Sequence, residues 1–186
     1  VAAEPLLREA LEGRRDTLDE AEPLSREALK VSRETRDHRH PNTLVSISSL
    51  GLLLQSKGLL AAAEPLLREA LEGRREILGN RHPRTLFSIN SLGMLLEAQG
   101  DLTAAEPLVR EALKVRRETL GKRHPSTLIS VNNLGLLMKA KGDLAAAELL
   151  LREGLEGQRE TLGNCHQDTL TSINNLGLLL PMQAIH

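Results

Sequence analysis

The chain has 186 residues, 40% of them hydrophobic, with no Trp, no Tyr and a single Phe, so its interior is built from aliphatic side chains. Its 24 basic and 25 acidic residues leave a formal net charge of -1, which supplies no field to attract a nucleic-acid backbone. One cysteine permits no internal disulfide, and no apolar run reaches the roughly 20 residues that span a bilayer. We therefore expect a cytoplasmic protein without nucleic-acid or membrane partners.

A short motif recurs at a fixed interval along the chain. His-Pro-x-Thr-Leu begins at residues 40, 82 and 124, and returns at 166 with Gln in place of Pro, so successive copies start 42 residues apart. A period of this size is typical of a helical solenoid, in which each unit buries its apolar face only by stacking on its neighbours. The sequence therefore predicts an all-α solenoid of antiparallel helix pairs that covers residues 1–186 as a single array.

Residues 1–36 are predicted to be a truncated N-terminal part with two second-type helices in tandem. The pattern of Ala3–Leu11 returns from Ala21 onward, only 18 residues later. Two arrangements are open: one long helix bent at Pro23, or a fold-back near Asp19, which would then cap a new helix. We expect the fold-back, because a straight helix leaves the leucines of the first segment in water, and burying a Leu is worth roughly 1.5–3 kcal/mol.

The rest of the chain follows a regular pattern of first and second helices. Each first helix has apolar residues at i, i+3, i+4 and i+7, the spacing of one helical face. Between the helices, Gly100-Asp101 and Gly142-Asp143 end one helix and cap the next, whereas Gly58-Leu59 lacks the Asp and predicts a less sharply defined helix start. The chain leaves the pattern at Pro181, and we expect it to be a piece of a longer array. Three full pairs and an unpaired first helix are predicted over residues 42–78, 84–120, 126–162 and 168–180.

The helix pairs share several motifs with a known repeat family. Leu92-Gly93 in a first helix, Gly100-Asp101 between helices, and Ala105, Val109 and Ala112 in a second helix together resemble the tetratricopeptide repeat. The 42-residue length, the Asn-Asn-Leu-Gly motif and the Leu-Gly-x-x-His-Pro connector resemble the kinesin light chain subtype of that family. The resemblance implies a right-handed superhelical solenoid whose first helices line a concave groove.

The same resemblance implies a function. It points to a non-catalytic scaffold for protein–protein interaction, in which the groove binds an extended peptide or partner segment. Two alternatives are open. The array could be a structural spacer or a self-association module of a larger protein, with the exposed C-terminal helix pairing with another copy. It could also regulate an attached NTPase or motor domain.

The resemblance also indicates which residues face the groove. Asn side chains there can both donate to and accept from a peptide backbone, and Phe87, Met94, Ile129 and Leu136 could hold an apolar side chain. The Asn residues could instead hydrogen-bond between neighbouring helices. We favour the groove for Asn90, Asn132 and Asn174, and less so for Asn133 and Asn175. The predicted partner-binding residues are Ser48, Leu52, Gln55, Phe87, Asn90, Met94, Glu97, Ile129, Asn132, Leu136, Lys139 and Asn174.

Other polar motifs are predicted to carry no chemistry. The repeated histidines would lie near 10 Å apart in stacked helix pairs, too far to share a metal ion at about 2 Å, so we expect them to shape the connectors. No Gly-rich phosphate loop and no nucleophile with a base is evident. We predict no enzyme, no cofactor and no metal site. The paired arginines at 14–15, 74–75 and 116–117 precede acidic residues and are expected on a solvated convex edge.

Overall fold

A computed structural model describes the backbone of residues 3–183 and the side chains of residues 17–180. This part of the chain folds into eight helices without a strand, which confirms the predicted all-α class. The helices belong to two compact units, residues 1–80 (unit 1) and residues 81–186 (unit 2). Unit 1 holds α1 (Ala3–Thr35), α2 (Pro41–Ser56) and α3 (Leu60–Leu78). Unit 2 holds α4 (Pro83–Ala98), α5 (Leu102–Leu120), α6 (Pro125–Ala140), α7 (Leu144–Leu162) and α8 (Gln167–Gln183).

Each unit is built from helices that pack on their sequence neighbours. In unit 1, α2 lies between α1 and α3; in unit 2, every helix packs on the next one, and α6 also touches α4 and α8. The buried faces are aliphatic, as composition requires. Ile47 of α2 and Ala63 of α3 are fully buried, as are Ile89 of α4 and Ala105 of α5.

A glycine in each first helix lets its second helix approach closely. A Cβ placed on Gly93 would lie 2.8 Å from Val109 Cγ2, nearer than real Cβ contacts come. Gly51 and Gly135 make the same close approach to α3 and α7. The counterpart in α8, Gly177, meets nothing within 4 Å, since no described helix covers that side. The repeated Leu-Gly motif is therefore a helix contact.

The repeated histidines begin the first helices. In each connector the histidine side chain accepts a hydrogen bond at Nδ1 from the backbone N–H two residues on, at 3.1 Å for His40, His82 and His124 and 3.2 Å for His166. Three of them precede a proline at the first helical position, which needs no N–H partner. The histidine is therefore the N-cap of its helix, which explains why the motif recurs once per repeat.

The second helices begin with or without a side-chain cap. The carboxylates of Asp101 and Asp143 each accept a bond of 3.0 Å from the backbone of the first helical turn. Leu59 stands at this place before α3 and makes no such bond, although α3 begins at the corresponding residue. The missing Asp therefore removes a cap bond without moving the helix start.

The N-terminal segment is one continuous helix, so the expected fold-back near Asp19 is wrong. The helix α1 runs through Pro23 without interruption from Ala3 to Thr35. Asp19 does not cap a helix. Its carboxylate lies 2.7 Å from Lys57 Nζ, which also pairs with Glu22 at 2.5 Å. Lys57 in turn lowers the pKa of Glu22, and Asp19 and Glu22 raise the pKa of Lys57.

Two of the arginines expected on a solvated edge are buried instead. Arg74 is 5% exposed and donates to Ser48 Oγ at 2.8 Å, and Arg116 is 9% exposed and donates to Ser130 Oγ. Burial lowers the pKa of Arg116. Adjacent residues on a helix point in different directions, so Arg117 reaches outward to Glu153 while Arg116 reaches inward. Burying a guanidinium costs free energy unless it is hydrogen-bonded, and the serine hydroxyls accept these bonds.

The glycine contact predicts a difference between two matched substitutions. Gly93→Leu should cost about 1–3 kcal/mol or more, because the added side chain overlaps Val109. Gly177→Leu, at the same place in α8, should leave stability unchanged or slightly raised. Urea unfolding followed by circular dichroism, at low protein concentration, measures both. An equal loss in the two variants would contradict the assigned contact.

Candidate functional site

The first helices of unit 2 present a shared face on α4 and α6. Asn133 Nδ2 of α6 donates to Asn90 Oδ1 of α4 at 2.9 Å, and Asn90 Nδ2 lies 3.4 Å from Met94 Sδ. These contacts hold two first helices side by side with their amides at the surface. We call this surface the α4–α6 face; it consists of Phe87, Asn90, Met94, Glu97, Ile129, Asn133, Leu136 and Lys139.

Apolar side chains lie on both sides of the amide pair. Phe87, Met94 and Ile129 are exposed at 48%, 43% and 40% of their surface, and Leu136 is half-buried. Phe87 and Ile129 occupy the same place in successive repeats, as do Met94 and Leu136. The face therefore offers two apolar rows separated by groups that can donate and accept hydrogen bonds.

Glu97 lies at the end of this face in a partly desolvated position. Burial raises the pKa of its carboxyl above the ordinary value of 4.5. Among the described side chains no ion pair with Glu97 is present, although Lys139 occupies the corresponding place in α6. A half-buried carboxylate of this kind is stabilised by any cation brought to it.

The candidate residues of unit 1 form a less open surface. Ser48 is 6% exposed and its hydroxyl accepts the bond from Arg74, so a partner cannot reach it in this structure. Leu52 and Gln55 are half-buried on the same helix. The first-helix surface of this unit therefore offers fewer exposed contacts than the α4–α6 face.

Asn132 lies inside unit 2, below the α4–α6 face. It is 7% exposed, and its Nδ2 donates to Ser172 Oγ of α8, which donates onward to Gln158 Oε1 of α7 at 2.5 Å. Its Oδ1 is buried without a hydrogen-bond partner. A Cβ on Gly154 of α7 would overlap that oxygen. Asn132 therefore bonds between neighbouring helices, which is the structural alternative that the sequence left open.

The remaining asparagines divide between the two roles. Asn174, the counterpart of Asn132, is exposed on the uncovered side of α8 and is not part of the α4–α6 face. Asn133, which sequence reasoning ranked lower, is on that face because of its bond to Asn90. The helical spacing predicts this position, because Asn133 lies four residues after Ile129 and three before Leu136 and so shares their helix face.

A cleft on the second-helix side of unit 2 is a weaker candidate. It encloses about 580 Å³ between α5, α6 and α7, with Arg110, Arg117 and Leu149 among its lining residues. Arg110 is paired with Glu106 at 2.7 Å and Arg117 with Glu153 at 2.5 Å. Because carboxylates of the chain already neutralise these two arginines, they attract an anionic ligand only weakly.

Across residues 17–180 no group of three or more His, Cys, Asp and Glu side chains could hold a metal ion. None of the described helices is long and apolar enough to cross a membrane.

The comparison with protein families defines the class of this chain. A model of the tetratricopeptide repeat matches residues 10–76, 47–118 and 85–160. The chain therefore belongs to the tetratricopeptide repeat family, whose repeats generally mediate protein–protein interactions and are generally non-catalytic. A search of curated protein sequences found no significant match.

Solved structures place the chain near kinesin light chain-like members of the family. A kinesin light chain-like protein with nearly identical TPR-like repeats from Podosopora anserina is 25% identical, with a TM-score of 0.78 over 93% of this chain and 82% of that one. BtubC (BKLC) from P. vanneervenii is 22% identical, with a TM-score of 0.79 over 94% of this chain and 70% of that one. The apo form of RapI shares the fold at 16% identity, with a TM-score of 0.71 over 94% of this chain and 46% of that one.

The environment of Asn132 predicts coupling with Gly154. Gly154→Ala should displace Asn132 Oδ1 and break its bond to Ser172, a loss of about 0.5–1.5 kcal/mol that the higher helix propensity of Ala, about 1 kcal/mol, offsets in part. Combining it with Asn132→Ser should recover most of that loss, because Ser48 and Ala70 already stand together at these places in unit 1. A double-mutant cycle in urea measures the coupling, expected at roughly 0.5–3 kcal/mol. Additive losses would show that the two residues do not touch.

Glu97 predicts a pH-dependent stability. Because its pKa is raised in the folded state, the folded protein binds more protons than the unfolded chain between pH 4.5 and the raised value, and stability falls as pH rises through that window. Glu97→Gln should therefore melt at a higher temperature than the wild type at pH 7, with the difference vanishing below pH 4.5. Thermal melts at several pH values test this. A gain that persists unchanged at low pH would refute the burial of this carboxylate.

Proposed function

We propose that this protein is a non-catalytic scaffold that binds an extended segment of a partner protein on its first helices, with the α4–α6 face as the principal contact. The observation that carries the proposal is the exposure of Phe87, Met94 and Ile129 around the Asn90–Asn133 amide pair. Membership of a family of interaction repeats supports it. Cofactors and metals have no part in this function.

The arrangement suits a peptide in an extended conformation. Amides that donate and accept can bond to a peptide backbone whatever its sequence, and the apolar rows hold side chains. First helices of successive pairs lie about 10 Å apart. An extended segment in the polyproline II conformation rises about 3.1 Å per residue with three residues per turn, so residues three apart lie about 9 Å apart on the same side. The expected ligand therefore has apolar side chains three residues apart.

The charge at the end of the face suggests a further preference. A basic side chain beside Glu97 would restore the solvation that the carboxylate has lost. Ligands are therefore expected to carry Lys or Arg next to the apolar positions. Lys139 lies on the same face of α6 and would disfavour a basic residue at its own place.

Selection from a random peptide library displayed on phage, followed by fluorescence anisotropy with synthetic peptides, tests the proposal. Phe87→Ala with Met94→Ala should raise the dissociation constant at least tenfold, about 1.4 kcal/mol, because buried apolar anchors dominate such contacts. Asn90→Ala with Asn133→Ala should weaken all selected peptides alike. Both pairs lie at the surface and should leave helicity unchanged.

A matched control separates the face from general effects of surface change. Leu149 is exposed on α7, away from the α4–α6 face, so Leu149→Ala should bind the selected peptides as the wild type does. The proposal is wrong if the library yields no binder. It is also wrong if Leu149→Ala lowers the affinity for the selected peptides as much as the variants of the α4–α6 face do. Glu97→Gln should reduce only the preference for basic residues.

A further inference from the structure

Two opposite charges lie at corresponding places on the first helices of unit 2. Glu97 of α4 and Lys139 of α6 are 42 residues apart in sequence, and both side chains are half-buried. Glu97 follows Met94 by three residues, and Lys139 follows Leu136 by three, so each charge lies one helical turn from an apolar residue of the α4–α6 face. Among the described side chains, neither of the two charges forms an ion pair.

The fold itself does not require these two charges. Ion pairs that connect the helices recur in register: the pair between Arg81 and Glu118 returns 42 residues later with the same residue types. The place of Glu97 behaves differently. In α2, α4 and α6 it is occupied by Gln55, Glu97 and Lys139. Because repeats with the same helix packing carry a neutral, an acidic and a basic side chain there, the charge at this place is free to serve a ligand.

Partial burial distinguishes this pair of charges from others on the surface. Burial raises the pKa of the Glu97 carboxyl, so its negative charge lacks part of the solvation that water would supply. Lys114 of α5 and Glu156 of α7 are also opposite charges 42 residues apart, but both are exposed. Contacts with fully solvated charges contribute little to binding. An oppositely charged ligand group therefore gains more at Glu97 and Lys139 than at the exposed pair.

The spacing of the two charges matches the spacing of side chains on an extended ligand. First helices of successive pairs lie about 10 Å apart. Residues three apart in a polyproline II segment lie about 9 Å apart on the same side. A segment that crosses α4 and α6 therefore brings one residue to Glu97 and the residue three positions away to Lys139.

We propose that the α4–α6 face selects its ligand by the order of two charges: a basic residue contacts Glu97, and an acidic residue three positions away contacts Lys139. Each charged residue of the ligand lies next to an apolar residue held by Met94 or Leu136. This inference rests on the proposed function and adds the charge pattern and the register of the ligand. A segment in which the two charges are exchanged places like charges together at both contacts.

Selection from a phage library with two leucines fixed three residues apart, and all other positions random, tests the proposal. Peptides selected on the wild type should carry a basic and an acidic residue three positions apart. The strongest peptide is then synthesised in two forms, as selected and with these two residues exchanged. Fluorescence anisotropy should show about tenfold weaker binding of the exchanged form, because two attractions are replaced by two repulsions.

Exchanging the charges of the protein should reverse this preference. Glu97→Lys with Lys139→Glu should bind the exchanged peptide about tenfold more tightly than the selected one. Each new residue already occupies this place in a neighbouring repeat, so the fold should be retained, which circular dichroism checks. Lys114→Glu with Glu156→Lys is the matched control, because it makes the same exchange at corresponding places on second helices. It should keep the preference of the wild type.

The other outcomes separate the two proposals. Selected peptides without a pair of opposite charges three positions apart, or a preference that the exchange at Glu97 and Lys139 leaves unchanged, would overturn the charge pattern but not the scaffold. The same holds if the control variant reverses the preference, since the general field of the protein would then be responsible. A library that yields no binder contradicts both proposals.

Discussion

The close approach of the two helices in each pair is the constraint on which the structure depends. Gly51, Gly93 and Gly135 have no side chain where a branched apolar residue of the second helix presses in. An aliphatic interior without Trp or Tyr has no large ring to fill a wider gap, so burial requires this short distance. It also turns the opposite side of each first helix outward, which is where the α4–α6 face lies.

Buried polar groups connect one helix pair with the next. Arg116 of α5 bonds to Ser130 of α6, and Gln158 of α7 accepts from Ser172 of α8 at the corresponding place. A buried polar group costs free energy unless its partner is in position, so each bond favours one particular neighbour. Asn132 adds a bond to Ser172, and in this orientation its Oδ1 fills the space beside Gly154. Its counterpart Asn90, which has Ala112 at the corresponding place, bonds to Asn133 instead, so the repeats are similar without being interchangeable.

The sequence was sufficient for the helical class, because the period and the Leu-Gly motif report local contacts that recur in register. It was insufficient where one side chain chooses between distant partners. The sequence predicts that Asp19 caps a helix, but its carboxylate forms an ion pair with Lys57, the C-cap residue of α2. The acidic residue that follows the arginine pair predicts a solvated Arg116, yet its guanidinium donates a hydrogen bond to a serine on the next helix. The orientation of Asn132 and Asn133, adjacent in sequence, depends on which helix each one meets.

The repeats themselves distinguish two kinds of exposed apolar residue. Phe87 and Ile129 are exposed although both of their helices have second helices packed on them, so no missing contact explains their exposure. Leu170 is exposed, whereas its counterpart Leu128 is fully buried. Its exposure therefore reflects a helix contact that the other repeats make and α8 does not. A ligand for the first kind can have any fold that presents an extended segment. The second kind lies where a second helix covers α2, α4 and α6, so it reports helix packing rather than ligand binding.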